Sequence, residues 1–395
     1  MNRPLLPVSD AQARLLALAT PVEPEILPLA QAVGHWASAP VTAWRTQPSA
    51  DLSAMDGYAI RFTDMPGPWT VVGESAAGRP FPEILQSGQA VRIFTGAALP
   101  AGTDTVLVQE EAARDGDQLL LNGEGPGHEG RNVRARGLDF AKDDSLIATG
   151  ERITAARLAL AGAAGHAALP VRRRIRVALV ATGDELVAPG GVLGEAQLPE
   201  TNRAMLAALL ADLPVDTIDL GILPDDLGVL SAAFAGCDAD LLITTGGASV
   251  GDHDLVRPAL EAAGATIDFW RTALRPGKPV MAGRMRETIV LGLPGNPVSG
   301  FVTCLLFARP LIAHLSGASD PFPRTYSAPL GDPLPANGER TDYMRAELRD
   351  GRAYAAALQD SSMLRTLSRA GCLIVRAPHA PPAQIGEMAE ILPLA

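Results

Sequence analysis

Residues 177–186 read Val-Ala-Leu-Val-Ala-Thr-Gly-Asp-Glu-Leu, an apolar run that passes straight into a Gly-rich polar turn. The same form returns at 241–252 (Leu-Leu-Ile-Thr-Thr-Gly-Gly-Ala-Ser-Val-Gly-Asp) and at 288–297 (Thr-Ile-Val-Leu-Gly-Leu-Pro-Gly-Asn-Pro). Turns of this kind belong at the carboxyl ends of strands in α/β sheets. Backbone N–H groups and helix N-termini collect there and bind phosphates and other oxyanions. Three in one segment predict a single large anionic ligand. The turns hold Thr182 and Gly183, then Gly246, Gly247 and Ser249, then Pro294, Gly295, Asn296 and Pro297. Taken singly, each also reads as an ordinary tight βα connection. The turn at 245–249 is not GxGxxG and GxxxxGK[ST] does not occur in the chain, so neither the dinucleotide fingerprint at that turn nor the P-loop is the reading.

Working outward, helices are expected at 201–213, 226–235, 254–263 and 297–315, alternating with strands from 174 to about 317. That alternation predicts a parallel, doubly wound sheet. Upstream, residues 41–139 carry short alternating runs (69–72, 90–94, 105–109, 118–121) punctuated by Gly and Pro, which is a small β-rich domain. A helix is expected over 9–19, with Ser9 as N-cap and Gln12 completing a capping box, and another over 151–166. After Pro321 and Pro323, short runs at 343–348, 353–357, 372–376 and 389–392 predict a second small β domain.

The bulk properties narrow the function. A chain of 395 residues is too long for one core. A net charge of −11 and an aromatic content of 4% argue against a protein that coats nucleic acid or stacks bases. No apolar run reaches the roughly 20 residues of a membrane helix. Residues 1–7, broken by prolines, do not read as a signal peptide. The three cysteines are isolated, which fits a reducing cytoplasm, and Cys304 reads as core. The six histidines show no ligand spacing.

Carboxylates crowd the turns: Glu185, Asp225, Asp226, Asp252 and Asp254. Carboxylates beside an oxyanion site suit Mg2+, a hard cation that bridges protein and phosphate oxygens. For any one Asp, capping a helix N-terminus is the stronger reading; for the set that reading weakens. Arg271, Arg275 and Lys278 lie in a loop stiffened by Pro276, Gly277 and Pro279, a local cationic excess in an acidic chain. It reads as an anion clamp or as a solvated loop.

These stretches together resemble the molybdopterin molybdenumtransferases, the molybdenum-insertion family that includes the E domain of gephyrin. The carriers are residues 53–59 (SAMDGYA), 95–100 (TGAALP), 104–110 (DTVLVQE), 132–139 (NVRARGLD), 182–186 (TGDEL), Thr201-Asn202, 221–226, 245–254, 275–279 and 293–299 (LPGNPVS). They follow the family's order over nearly the whole chain. The resemblance implies α/β and β domains: a discontinuous helical N-terminal domain (1–40 and 140–173), an inserted β-rich domain (41–139), an α/β molybdopterin-binding domain (174–320) and a C-terminal β-barrel (321–395). It implies insertion of molybdate into adenylylated molybdopterin with release of AMP, a Mg2+ cofactor, a cytoplasmic homodimer and a site shared between subunits. It further implies exchange with the molybdopterin adenylyltransferase and with downstream cofactor-maturation proteins. Asp56 and Thr95 match the loops given across the dimer. Asp139, Glu185, Asp225 and Asp254 match the acidic site positions, with Glu185, Asp225 and Asp254 as metal ligands. Arg271, Arg275 and Lys278 match the basic oxyanion loop, although Arg replaces a common Lys twice. A molybdopterin adenylyltransferase and a non-catalytic scaffold are the alternatives. The first shares only the α/β segment, and the second is not expected to keep the acidic set.

Overall fold

The computed structural model describes residues 5–246 and 255–394. Its centre is a six-stranded sheet: β1 (Ile175–Thr182), β2 (Val215–Leu223), β3 (Leu241–Thr245), β4 (Ala265–Trp270), β5 (Met281–Met285) and β6 (Thr288–Leu293), in the order β2-β1-β3-β6-β5-β4. β2, β1, β3 and β6 run parallel, as expected. β5 and β4 are antiparallel, which corrects the expectation of a wholly parallel sheet. The reason is local. Only Arg286 and Glu287 separate β5 from β6, and two residues make a hairpin but not the long crossover that parallel strands need.

Alternation along β1 shows how both faces are buried. Val177 and Leu179 join one core with Leu206, Leu210, Val298 and Leu311, together with Val8 and Leu15 of the first helix. Ala178 and Val180 join the opposite core with Leu230, Phe234, Val256 and Leu260. Helices Asn202–Leu210 and Pro297–Leu315 therefore cover one face, and Leu227–Ala235 and Val256–Ala262 the other. Helix Pro297–Leu315 has the length (19 residues) and mean hydropathy (1.6) of a membrane span, contrary to the sequence reading, but 78% of it is buried in the protein.

That helix also explains a second departure. It contains a π segment, Cys304–Ala308, followed by Pro310, which has no N–H to give the Leu306 carbonyl. Gln12 Nε2 donates to that carbonyl at 2.7 Å. Gln12 is thus taken from the expected capping box, and helix Val8–Ala17 starts after Pro7 without a side-chain cap.

Around this centre, Pro24–Pro28 pairs with Ala168–Arg172, and Val41–Thr42 with Ser145–Ile147. Helix Ala155–Ala163 is shorter than expected because Thr154 caps it, accepting from the Arg157 N–H. Residues between carry the six-stranded β-rich sheet in which Gly57–Ile60 lies between Thr105–Val108 and Gln89–Ile93. The C-terminal strands Tyr326–Pro329, Thr341–Arg349, Arg352–Ala355, Cys372–Arg376 and Met388–Pro393 form an antiparallel sheet. A bridge from Leu330 to Ala353, with the Gly331 N–H donating to the Ala353 carbonyl at 2.8 Å, links the two ends of this sheet. Leu274–Arg275 adds to this sheet beside Thr341–Asp342, tying the basic loop to the C-terminal domain.

Candidate active site

The three Gly-rich turns meet at the carboxyl end of the parallel strands. Gly246, after β3, has φ +93 and lies so close to β1 that a Cβ there would sit 2.5 Å from the Thr182 carbonyl. Gly295, after β6, packs on Gly246: its own Cβ would come within 3.3 Å of the Gly246 Cα. Side chains at either place would push the turns apart. Asn202, at the start of helix Asn202–Leu210, bridges them by donating to Thr245 Oγ1 at 2.8 Å and to the Gly295 carbonyl at 2.6 Å. A carbonyl only accepts, so Nδ2 is the atom facing Gly295 and Oδ1 faces away. Asn202 Oδ1, Thr182 Oγ1 and Thr244 Oγ1 are buried without a partner among the described residues. Buried polar atoms are normally paired, and such exceptions gather at functional sites. In the sequence Asn202 stands only as part of the Thr201-Asn202 match, because an Asn at a helix start looks like a cap.

The turn after β2 joins the same end. The Asp225 N–H donates to Asp184 Oδ1 at 3.1 Å. Asp226 instead caps the next helix, accepting from the Val229 N–H at 2.8 Å. The Glu185 side chain folds back on Gly183, where a Cβ would meet Oε2 at 2.4 Å. Glu185 and Asp184 are exposed. Gly247, Ser249 and Asp254 lie outside the described residues. Among the described residues no group of three His, Cys, Asp or Glu side chains forms a metal cluster. The donors that are present, Glu185 and Asp225, are carboxylates, which suit a hard cation that takes its remaining ligands from water and phosphate.

Asn296 extends the site to the C-terminal domain: its Nδ2 donates to Ser361 Oγ at 3.0 Å, and the Ser361 carbonyl accepts from the Val298 N–H at 3.1 Å. Pro294 is buried, and Pro297 opens the helix at its first position. In the basic loop, Arg271 has φ +105 and Lys278 is exposed, with the Lys278 carbonyl accepting from the Thr272 N–H at 2.9 Å. Arg275 is not a free cation. Its Nε donates to Asp342 Oδ2 at 2.8 Å, and this carboxylate raises the guanidinium further above its ordinary value.

A second cluster sits on the β-rich insert. Asp56 Oδ1 accepts from the Thr95 N–H and the Thr95 hydroxyl, both at 2.8 Å. These bonds, the N–H first, with a smaller contribution from Arg92, hold the Asp56 carboxyl below the usual carboxylate range. Gly57 is required by packing, since a Cβ would meet the Leu107 carbonyl at 2.1 Å. The hydrogen bonds of Asp56 and Thr95 among the described residues stay within the insert. Asp139 stands apart. Its N–H donates to the Gln47 carbonyl at 3.1 Å, and its carboxylate is exposed without a hydrogen bond or ion pair among the described residues. The structure thus brings together Thr182, Gly183, Gly246, Gly295, Glu185 and Asp225 in one place and Asp56 with Thr95 in another.

Three family models match in order: the MoeA N-terminal region (domain I and II) over residues 6–165, a probable molybdopterin binding domain over 178–314, and the MoeA C-terminal region (domain IV) over 327–394. A molybdopterin molybdenumtransferase of Haemophilus influenzae is 36% identical over 98% of each chain. The chain belongs to the molybdopterin molybdenumtransferase family. A family member from Bacillus subtilis is 30% identical over 95% of this chain and 90% of its own. A crystal structure of a molybdopterin biosynthesis moeA protein from Pyrococcus horikoshii superposes with a TM-score of 0.85 at 26% identity, covering 99% of this chain and all (100%) of that one. The converging turns and the Asp56 loop both lie inside the segments that the family models match.

Proposed function

We propose that this protein is a cytoplasmic molybdopterin molybdenumtransferase, inserting molybdate into adenylylated molybdopterin and releasing AMP. The observation that carries the reading is the meeting of three Gly-rich turns around Asn202, Thr182 and Thr244. A ligand with a pterin, a phosphate and a nucleotide needs that many contacts. The matches to all three family segments favour the insertase over a stand-alone adenylyltransferase, which resembles the α/β segment alone.

In this reading the turns bind the pterin nucleotide and fix its phosphates against backbone N–H groups. Arg271 and Lys278 attract molybdate, and Arg275 shapes that loop through Asp342. Glu185 and Asp225, with Asp254, would hold Mg2+, which would supply positive charge against the phosphoanhydride. Asp56, kept ionised by Thr95, comes with it from the insert of a partner subunit, so the working form is a homodimer, and Asp139 joins the acidic set. The adenylylated substrate comes from a molybdopterin adenylyltransferase, and the product passes to cofactor-maturation proteins. Nucleic acid and membrane have no role. The test is to supply purified protein with adenylylated molybdopterin, Mg2+ and molybdate. AMP release that depends on molybdate supports the insertase. Net consumption of ATP with unadenylylated molybdopterin points to the adenylyltransferase, and neither activity leaves a scaffold.

A further inference from the structure

The Asp56 loop is assembled around one side chain that the sequence reading passed over. Arg92 lies on strand Gln89–Ile93, opposite Tyr58 in the ladder. Its guanidinium carbon is 5.2 Å from the centre of the Tyr58 ring and 4.8 Å from that of Phe94. Arg92 Nη1 donates to the Gly57 carbonyl at 2.9 Å, and Nη2 to Gln109 Oε1 at 2.7 Å. The Gln109 N–H in turn donates to the Asp56 carbonyl at 3.1 Å. Two consecutive carbonyls of the loop, those of Asp56 and Gly57, are therefore held by Arg92, one directly and one through Gln109. Thr95 fixes the Asp56 carboxylate from the other side.

Simple stacking of an arginine on a sheet surface needs only one ring and no defined fork. Here two rings set the guanidinium, and both hydrogen bonds run to the loop or to the residue that grips it. A lysine can stack in the same place but has no planar fork with which to reach both acceptors. We propose that Arg92 is a positioning residue that sets the Asp56 carboxylate for the reaction. It acts on the Gly57 carbonyl and, through Gln109, on the Asp56 carbonyl. The inference rests on the activity proposed above and deepens it.

The experiment is a double-mutant cycle on the full chain, using Arg92→Met, Asp56→Asn and the pair, with Arg92→Lys as the conservative variant. The readout is single-turnover AMP release at saturating adenylylated molybdopterin over a range of molybdate. Circular dichroism and denaturation midpoints accompany each variant. Misplacing a reacting group by about an ångström costs up to about 100-fold, so Arg92→Met should turn over on the order of 10- to 100-fold more slowly, with its molybdate dependence little changed. Arg92→Lys should recover part of the loss. Arg92→Met should add little to Asp56→Asn, because the group it positions is already impaired. If the two losses multiply, or if Arg92→Met keeps full turnover, Arg92 is a structural stacking residue. A wild-type protein with no molybdate-dependent AMP release sinks the proposed activity and this inference with it. An active wild type with multiplying losses sinks the inference alone.

Discussion

Arg275 of the basic loop donates through Nε to Asp342 of the C-terminal sheet at 2.8 Å, and the Asp342 side chain is only 4% exposed while that of Arg275 is 53% exposed. The pair is therefore asymmetric: a buried carboxylate is neutralised by a cation that half faces solvent. Arg275→Ala strands that carboxylate. The expected cost is about 1–3 kcal/mol, in the range of a charge-assisted hydrogen bond and discounted for the exposure of the arginine. Lys278→Ala, at an exposed position, should cost less than about 0.5 kcal/mol. Denaturant midpoints measure both. The double variant Arg275→Ala with Asp342→Ala should regain part of the stability. A double variant that is no better than Arg275→Ala removes the pair from the stability of the loop.

Asp240 gives a pH-dependent prediction. It sits just before β3 and accepts from Arg173 Nη1 at 2.7 Å, Arg173 Nη2 at 2.9 Å and the Arg176 N–H at 2.8 Å. Burial alone would push its carboxyl up. The Arg173 guanidinium and the Arg176 N–H outweigh burial and hold it below the usual carboxylate range. A carboxyl depressed in the folded state contributes stability above its unfolded value, near pH 4, and loses it as pH falls through the folded value. Asp240→Asn should therefore be less stable than the wild type by about 1.5–3 kcal/mol at pH 7, and the gap should close as pH falls below about 4. Urea titrations at pH 7 and in acid measure the gap. A gap that stays constant into strong acid sinks the assignment.

The same comparison shows what the sequence made legible. Three strand-to-turn units are visible because burial on both faces demands unbroken apolar strands and because only glycine fits where backbone meets backbone. Gly246 against Thr182 is such a place. The β5–β6 hairpin was missed because a buried antiparallel strand has the same apolar run as a parallel one, and the two-residue turn at Arg286-Glu287 carries no glycine. Gln12 was misread because the capping-box pattern is local, whereas its partner, the Leu306 carbonyl, is distant and is exposed by Pro310. The sequence shows Arg275 as part of an anion clamp or a solvated loop without its counter-charge, because Asp342 lies in another domain. Arg92 was not singled out because an arginine in an alternating strand looks like a solvated face.

Gly246 can be tested against a glycine of similar conformation. Gly246 (φ +93) and Gly78 (φ +77) both lie in the left-handed region, but a Cβ at Gly78 meets nothing within 4 Å. Gly78→Ala should cost about 1–2 kcal/mol, the penalty for the backbone region alone. Gly246→Ala adds the contact with the Thr182 carbonyl and should cost more. It should also weaken binding of adenylylated molybdopterin, because the turns that hold it are forced apart. Denaturation midpoints and calorimetric binding measure the two effects. Equal stability losses at both glycines, with unchanged binding at Gly246→Ala, mean that the close approach has no bearing on the ligand.

The division of the candidate residues between two domains leads to the last prediction. Asp56 and Thr95 form a cluster whose hydrogen bonds among the described residues stay inside the insert, whereas Thr182, Gly246, Gly295 and Asn202 converge in the α/β domain. If one site uses both, and the two come from different subunits, two variants that are each inactive can complement one another. Asp56→Ala spoils the insert half of each site in its own homodimer, and Glu185→Ala the α/β half. After subunit exchange, about half of the dimers are mixed, and in each of these one site carries both defects while the other carries neither. Random pairing in an equal mixture then restores about a quarter of wild-type sites, so turnover should recover to roughly that fraction. Exchange is checked separately, by following differently tagged subunits through two affinity steps. Mixed dimers recovered in that way but without molybdate-dependent AMP release mean that each site is built within one chain.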